Sequence, residues 1–285
     1  MTARKIEFIL QPVPVLEGAG VRLKRSFPAG RLNYLDPFLL LDHFGSMNPE
    51  DYLKGFPMHP HRGIETVTYV LNGAVAHRDS LGNEGTISTG DVQWMTSGRG
   101  ILHEEMPQVR PEGMDGFQLW VNLPANQKMT KPRYQEINSQ KLPQFVTENG
   151  AVIRVVAGKV GPVTGPVTQI AVEPVYIDVS MPAGSAFNQP ITAGHNAFVY
   201  IFEGRGSFGA GTPSDSVSID APNLAILSEG DSLNVFTSDR PVRFLLVSGK
   251  PLNEPVARYG PFVMNTKEEI SQALDDLRRG TFVTQ

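Results

Sequence analysis

Short apolar runs, each bounded by glycine, proline or a polar turn, recur along most of the chain. Runs of this kind include ETVTYVL, AFVYIFE, AVIRVVAGKV, VYIDVSM and RFLLVSG. Their length and their content of β-branched and aromatic residues are typical of β-strands. Many short strands with frequent turns are typical of a sandwich or a barrel, so the pattern predicts an all-β protein.

Two local signals refine this prediction. Asn72-Gly73 stands between two apolar runs and predicts a two-residue β-hairpin, because a type I′ turn requires positive φ at both positions. Near the C-terminus, Thr266 and Glu269 have the spacing of a capping box and are followed by apolar residues at helical intervals. Arg278, Arg279 and Gly280 fit the end of this helix. We expect one short C-terminal helix that packs against a barrel.

Length and composition exclude several classes of protein. The chain has 285 residues, enough for two modest domains, and its net charge of -4 gives no basic stripe for direct nucleic-acid binding. Cysteine is absent, which excludes disulfides and thiolate metal ligands and fits a reducing compartment. No stretch approaches the length of a membrane span or a signal peptide. These features favour a cytoplasmic protein that does not enter a membrane.

A weak internal repeat divides the chain. YVLNGAVAHRD and STGDVQWM in the first half resemble YIFEGRGSFG and SEGDSLNVF in the second. The polar, proline-bearing segment NLPANQKMTKPRYQEINSQKLP lies between them and is typical of an interdomain linker. We expect an N-terminal domain over residues 1–138 and a C-terminal domain over residues 139–285.

Histidines carry the candidate chemistry. His59 and His61 share one face of an expected strand, and His103 and Glu105 share one face of another. Two such pairs that face each other would form a mononuclear metal site with three imidazoles and one carboxylate. Glu65 has the parity of His59 and His61 and stays open as an alternative carboxylate ligand, whereas Glu104 should point away.

Two further observations concern this site. Pro60 lacks an amide donor, so its strand should lie at a sheet edge or at a bulge. When the halves are aligned on their glycines, Thr192 and Arg243 of the second half fall where His61 and His103 stand in the first. The C-terminal domain should therefore have lost its metal ligands.

The remaining histidines and aromatics receive structural interpretations. We expect His43 in the core or at its rim, with a place beside the metal ligands as the alternative. We expect His77 at the surface, although its strand could bring it towards the site, and His195 in a structural role. Core packing is the default for the apolar cluster on either side of His103 in the sequence, although some members could line the pocket of a flat aromatic ligand. That cluster comprises Trp94, Met95, Phe117, Leu119 and Trp120.

HPHRGIETVTYVLNG and TSGRGILHEEMP resemble the two cupin motifs, with longer spacings and with Thr96 where cupins generally have proline. Together with LDPFLLLDHFG and PLNEPVARYGPFVMNTKEEI, they resemble pirins over nearly the whole chain. The resemblance implies two antiparallel jelly-roll (cupin) β-barrels packed together, with one metal in the N-terminal barrel. It implies His59, His61, His103 and Glu105 as ligands and favours iron, mainly Fe(II), over other divalent transition metals.

The resemblance also implies function. Some pirins resemble quercetin 2,3-dioxygenases, in which a flavonol and O2 are the substrates and carbon monoxide is released. In that reaction we expect Glu105 to act as the general base. Pirins are also implicated as iron-dependent, redox-responsive partners of transcription factors or metabolic enzymes. A regulatory protein, with a nuclear fraction in a eukaryote, is therefore the alternative to an oxidoreductase.

Overall fold

The computed structural model of the protein describes residues 2–209 and 211–283. These residues form two compact units. The first unit combines Val13–Ser139 with the chain from Leu252 onward. The second unit combines the chain up to Pro12 with Gln140–Pro251. Each unit therefore contains residues from both sides of residue 139, where the chain passes from the first unit to the second.

The strands of the described residues are numbered in chain order. Those up to residue 139 are β1 (Ile6–Leu10), β2 (Val13–Glu17), β3 (Val21–Phe27), β4 (Phe38–Ser46), β5 (Phe56–His61), β6 (Ile64–Asn72), β7 (Ala74–Asp79), β8 (Glu84–Ser88), β9 (Val92–Thr96), β10 (Ile101–Pro107), β11 (Met114–Asn122) and β12 (Arg133–Ile137). Those after it are β13 (Gln144–Val146), β14 (Val152–Ala157), β15 (Lys159–Val160), β16 (Val163–Thr164), β17 (Val175–Met181), β18 (Ala186–Pro190), β19 (Asn196–Gly209), β20 (Ser216–Asp220), β21 (Asn223–Leu227), β22 (Ser232–Phe236), β23 (Val242–Gly249), β24 (Ala257–Tyr259) and β25 (Phe262–Met264), and they are followed by the helix α1 (Lys267–Arg279).

The first unit contains two antiparallel sheets and a ribbon. Seven strands pair in the order β12-β9-β6-β11-β4-β3-β2, and four pair in the order β5-β10-β7-β8. Strands β24 and β25 form a separate ribbon. Apolar side chains from both sheets form one buried cluster, which includes Leu23 and Phe44 from the larger sheet and Val75 and Ile87 from the smaller one. The predicted all-β class is confirmed.

The predicted hairpin at Asn72-Gly73 is wrong. β6 pairs with β9 and β11, whereas β7 pairs with β8 and β10, so the chain passes from one sheet to the other at Gly73. Gly73 has φ 92°, and a Cβ atom there would lie 2.5 Å from the carbonyl oxygen of Gly113. The glycine is therefore required for a corner between two sheets, which has the same local signature as a hairpin turn.

The second unit is built on a branched ten-stranded sheet. Its main path runs β1-β21-β19-β23-β17-β14-β13. The first part of β19 pairs with β21 and β23, and its last residues pair with β20 and β22. A core of fully buried aliphatic and aromatic side chains, including Val179, Val199, Phe208 and Phe244, fills this unit.

The chain passes from the first unit to the second between Ser139 and Gln140, and each chain end belongs to the unit built mainly from the other half of the chain. The N-terminal strand β1 pairs with β21 and so joins the second unit. The C-terminal segment joins the first unit, where Arg62 forms an ion pair of 2.6 Å with Asp276 of α1. The expected linker is not free of structure either, because β12 within it pairs with β9.

The C-terminal helix is confirmed with its predicted caps. The Thr266 side chain accepts a hydrogen bond from the amide of Glu269, and the Glu269 carboxylate accepts one from the amide of Thr266. Gly280 ends the helix in the left-handed conformation, with φ 71°. Within the described residues, no helix combines the length and apolarity that crossing a membrane requires.

Candidate metal centre

Adjacent strands of the small sheet of the first unit carry the three histidines. β5 is the edge strand of this sheet, as the proline at position 60 predicted, and β10 is its neighbour. His103 on β10 lies directly opposite His59 on β5. His61 follows two residues after His59, so strand alternation places it on the same face.

The three imidazoles converge. The centroid of the His103 ring lies 4.4 Å from that of His59 and 5.1 Å from that of His61, and the two β5 rings are 4.8 Å apart. One potential ligand atom of each residue lies within 4.8 Å of the others. Three imidazole nitrogens this close together form a set that could hold one transition-metal ion.

The protonation of the histidines suits a metal. Burial lowers the pKa of His61 and of His103 well below the usual value, so both rings are neutral at pH 7. The Nδ1 atom of His59 lies 2.9 Å from the carbonyl oxygen of Pro57, and donation to that oxygen leaves its Nε2 lone pair free.

Ring nitrogens of His61 and His103 lack the hydrogen-bond partners that buried polar atoms normally have, and this bears on whether a metal fits between the histidines. Both ring nitrogens of His103 are buried without a hydrogen-bond partner, which is costly for polar atoms. The Nε2 atoms of His59 and His61 are 3.1 Å apart. Two cis ligands on an octahedral ion with bonds of about 2.1 Å would be separated by about 3.0 Å. A shared cation would occupy one nitrogen of His103 and bring the Nε2 atoms of His59 and His61 together, so the residues present fit a metal.

Glu105 lies next to this centre and outside the cluster of three nitrogens. Its side chain lines the same cavity as His59 and His61, and its Oε1 accepts a 2.9 Å hydrogen bond from Thr68. Between the pairs His103–His59 and Glu105–Phe56, two steps along β10 match three along β5, so a bulge lies in β5. Burial raises the pKa of the Glu105 carboxyl, against the opposing charge of His59.

The two other carboxylates near the motifs are used elsewhere. Glu65 is buried on β6 and accepts a 2.7 Å hydrogen bond from the Thr96 hydroxyl, and burial raises its pKa to about 7. It does not line the cavity. Glu104 points away from the centre as expected, and its carboxylate lies 2.6 Å from Arg78.

A cavity of about 530 Å³ adjoins the histidines. Alternate residues of three neighbouring strands of the larger sheet form one wall. These residues are Val21, Leu23 and Arg25 of β3, Leu40, Asp42 and Phe44 of β4, and Met114, Gln118 and Trp120 of β11. The lining is mainly apolar with a few polar groups, which is the usual composition of a site for a small organic ligand.

The other predicted residues fall into two groups. Trp94, Phe117 and Leu119 are fully buried in the core, whereas Trp120 lines the cavity and meets His61 edge to face, with 5.1 Å between the ring centroids. His43 is half-buried, and its Nε2 lies 2.8 Å from Asp115, which fits the expected rim position.

The surface position expected for His77 is wrong. His77 is 5% exposed, and its Nε2 lies 3.0 Å from the amide of Gln93 and 3.1 Å from Glu136. Its strand, β7, pairs with β10, and this pairing places His77 opposite Glu105. His77 thus belongs to the polar surroundings of the centre, because the strand after Gly73 enters the small sheet instead of returning as a hairpin.

Three residues that line the cavity were missed by sequence reasoning. The Thr68 hydroxyl lies 2.9 Å from Oε1 of Glu105 and 2.7 Å from Oε1 of Gln118, and both oxygens are acceptors for it. Arg258 of β24 lines the cavity far from the motifs in sequence. Thr68 lies in β6, which is buried over its first eight residues, so no alternation of burial distinguishes it. Gln118 and Arg258 lie outside the two histidine-bearing motifs and the internal repeat, so no sequence signal pointed to them.

The second unit differs at the positions aligned with the ligands. The carbonyl oxygen of Thr192, aligned with His61, accepts a hydrogen bond from Arg4, and Arg243, aligned with His103, pairs with Asp178 at 2.7 Å. Among the described residues, the histidine triad of the first unit is the one group of three or more potential ligands.

Two antiparallel β units, one of them with a histidine triad that could hold a metal ion, are the architecture of the bicupin class. A family model described as Pirin matches residues 20–121, and one described as Pirin C-terminal cupin domain matches residues 176–283. A pirin-like protein of Caulobacter vibrioides is 42% identical over 283 residues, which cover 99% of this chain and 100% of the relative. The chain belongs to the pirin family.

Two other similar proteins have enzyme names. A Pseudomonas aeruginosa protein, provisionally named a quercetin 2,3-dioxygenase, is 44% identical over 275 residues, which cover 94% of each chain. A crystal structure of quercetin 2,3-dioxygenase from Acinetobacter baumannii matches with a TM-score of 0.86 and 38% identity, covering 99% of both chains.

Proposed function

We propose that this protein is a metal-dependent dioxygenase that cleaves flavonols such as quercetin with O2 and releases CO. The observation that carries the proposal is the position of the histidine cluster, which opens on a cavity large enough for a multi-ring aromatic molecule. A blocked pocket would instead favour a regulatory protein. The enzyme names of two similar proteins support the same reaction.

We assign His59, His61, His103 and Glu105 as ligands of one ion, most favourably Fe(II). Imidazole and carboxylate are suitable ligands for Fe(II) and for several other divalent transition metals. Four protein ligands leave two positions on a six-coordinate ion. When bound, the metal would act as a Lewis acid on the flavonol hydroxyl and would orient the flavonol and dioxygen for reaction.

Glu105 is the general base of the proposal. Its raised pKa favours proton uptake, and the Thr68 hydrogen bond holds Oε1, so Oε2 remains for the substrate hydroxyl or the ion. The Thr68 hydroxyl has a single proton. Glu105 Oε1 at 2.9 Å and Gln118 Oε1 at 2.7 Å are both acceptors for that proton, so Thr68 orients the carboxylate when it donates to Glu105.

The cavity walls supply binding and protection from water. Leu40, Phe44 and Met114 present apolar surface to a planar ligand, and Trp120 presents an aromatic ring beside His61. Burial of a flat polyphenol against these side chains would exclude water from the reacting ring. One O2 is consumed and one CO is released for each flavonol cleaved.

The test measures quercetin consumption in air by protein loaded anaerobically with Fe(II). His103→Ala is the blank, because its side chain belongs to the cluster, and His195→Ala is the matched control from the second unit. We expect saturable loss of quercetin with equimolar CO in the wild type and in His195→Ala, and none in His103→Ala. One bound iron per chain without turnover would overturn the dioxygenase and favour the regulatory alternative.

A further inference from the structure

Two arginines, Arg25 and Arg258, line the cavity, and they differ in whether a carboxylate neutralises their charge. Arg25 makes a bidentate contact to Asp42, with distances of 2.8 Å and 2.6 Å, and its third nitrogen lies 2.6 Å from Glu17. The two carboxylates therefore offset its charge and take one N–H of each of its three nitrogens. The Arg25 guanidinium is thus held as the counter-ion of two acidic groups.

Arg258 has no such partner. It lies on the ribbon strand β24, is exposed, and makes no ion pair within the described residues. Its Nη1 donates to the carbonyl oxygen of Leu39 at 3.3 Å, and its Nε lies 3.5 Å from the carbonyl oxygen of Gly260. Nη2 has no hydrogen-bond partner in the part of the chain that the structure describes. The cavity thus contains a positioned cation with a free donor.

Trp120 connects this cation to the metal centre. The guanidinium carbon of Arg258 lies 4.9 Å from the centroid of the Trp120 ring, and that ring lies 5.1 Å from the His61 ring. The distance from Arg258 to His61 cannot exceed the sum of the two, which is within the length of a molecule of two or three aromatic rings. The indole restrains the guanidinium by a cation–π contact and offers a surface on which an aromatic ligand can pack.

We propose that Arg258 binds an anionic oxygen, a carboxylate or an ionised phenol, at the end of the aromatic substrate that lies away from the metal. The inference rests on the proposed function and adds the substrate class, an acidic aromatic compound. The planar guanidinium can donate two parallel hydrogen bonds to a carboxylate or one to a phenolate.

The electrostatic surroundings support this assignment. Partial removal from water, followed by the positive charge of Arg25, lowers the pKa of Arg258, and both effects outweigh the attraction of Asp42 and Glu17. An anion at Arg258 would relieve the repulsion between the two guanidinium groups. The free Nη2 would at the same time gain an acceptor in a site shielded by the ligand itself.

The experiment compares two ligands of the same ring system, one with a negative charge and one in which a methyl ester removes that charge. The probes are 3-hydroxyflavone-4′-carboxylate and its methyl ester, and their affinities are measured by calorimetry under anaerobic conditions with Fe(II)-loaded protein. Wild type is compared with Arg258→Gln, Arg258→Lys and the exposed control Arg278→Gln. Metal content is measured for every variant, so that damage to the centre is detected independently of ligand binding.

We expect the wild type and Arg278→Gln to bind the acid about tenfold more tightly than the ester, because a hydrogen bond to a charged group contributes to that degree. Arg258→Gln should remove this preference while it retains metal and affinity for the ester, and Arg258→Lys should restore part of it. An equal loss for acid and ester in Arg258→Gln would show a structural role and overturn the inference. Equal binding of both probes by the wild type overturns the inference alone, whereas binding of neither overturns the proposed function as well.

Discussion

Glu65 gives a quantitative prediction about pH and stability. It is 2% exposed, its partner is the neutral hydroxyl of Thr96, and its pKa is raised to about 7 from 4.5. The folded protein therefore binds a proton more tightly here than the unfolded chain does. The stabilisation is fully present below about pH 4.5 and is lost as the pH rises through about 7.

The magnitude follows from the two pKa values. Each unit of pKa difference corresponds to about 1.4 kcal/mol, and integration between about pH 5 and about pH 8 gives a loss of about 2.5 kcal/mol for this one group. Glu65→Gln has a neutral side chain throughout and escapes this loss. The free energy of unfolding of Glu65→Gln minus that of the wild type should therefore rise by about 2.5 kcal/mol over this interval.

Urea unfolding of metal-free protein, followed by tryptophan fluorescence, measures this difference. Both tryptophans of the chain, Trp94 and Trp120, lie in the first unit with Glu65, so the signal reports on that unit. Buried His61 and His103, whose lowered pKa values favour unfolding as the pH falls, affect both proteins equally. Glu112→Gln, on an exposed turn, is the control. A difference that stays constant or falls with pH would refute the reasoning.

Three further predictions concern the metal and the helix. His103→Ala should lose most of its bound metal while His195→Ala retains it, as measured by elemental analysis after gel filtration, and equal content in both would contradict the ligand assignment. Glu105→Gln should bind Fe(II) at least about tenfold more weakly, since it replaces a ligand, while Glu65→Gln should match the wild type in a competition titration with a chelator; loss of metal in Glu65→Gln alone would transfer the ligand role to Glu65. Thr266→Ala should destabilise the first unit by about 1 kcal/mol through loss of the helix cap, with Thr266→Ser close to the wild type in urea unfolding, and the cap would be unimportant if both variants unfolded like the wild type.

Local rules predicted those parts of the fold that depend on neighbouring residues. The capping box at Thr266 and Glu269, the edge position of Pro60 and the outward direction of Glu104 all follow from spacing along a single element. The corner at Gly73 could not be recognised in this way. A glycine with positive φ serves a hairpin and a change of sheet equally well, and the choice depends on which distant strands pair with β6 and β7.

The same limit applies to the centre. Alternation along β5 and β10 placed the three histidines on one face, but the shift of register that separates Glu105 from the nitrogen cluster is a property of the strand pair. The burial of His77 follows from the unrecognised corner at Gly73. The contribution of Arg258 depends on the return of the ribbon β24–β25 to the first unit, more than a hundred residues after β11.

The position of β5 at the sheet edge connects fold and chemistry. Pro57 and Pro60 lack amide donors and are compatible with an edge strand, and β5 has β10 as its one neighbour in the sheet. The carbonyl oxygen of Pro57 on this strand accepts the Nδ1 proton of His59, which leaves Nε2 directed at His61. Glu105, by contrast, is held from the larger sheet through Thr68. The centre thus combines histidines fixed by the small sheet with a carboxylate oriented by the large one, so a substitution in either sheet should be able to change metal binding without unfolding the unit.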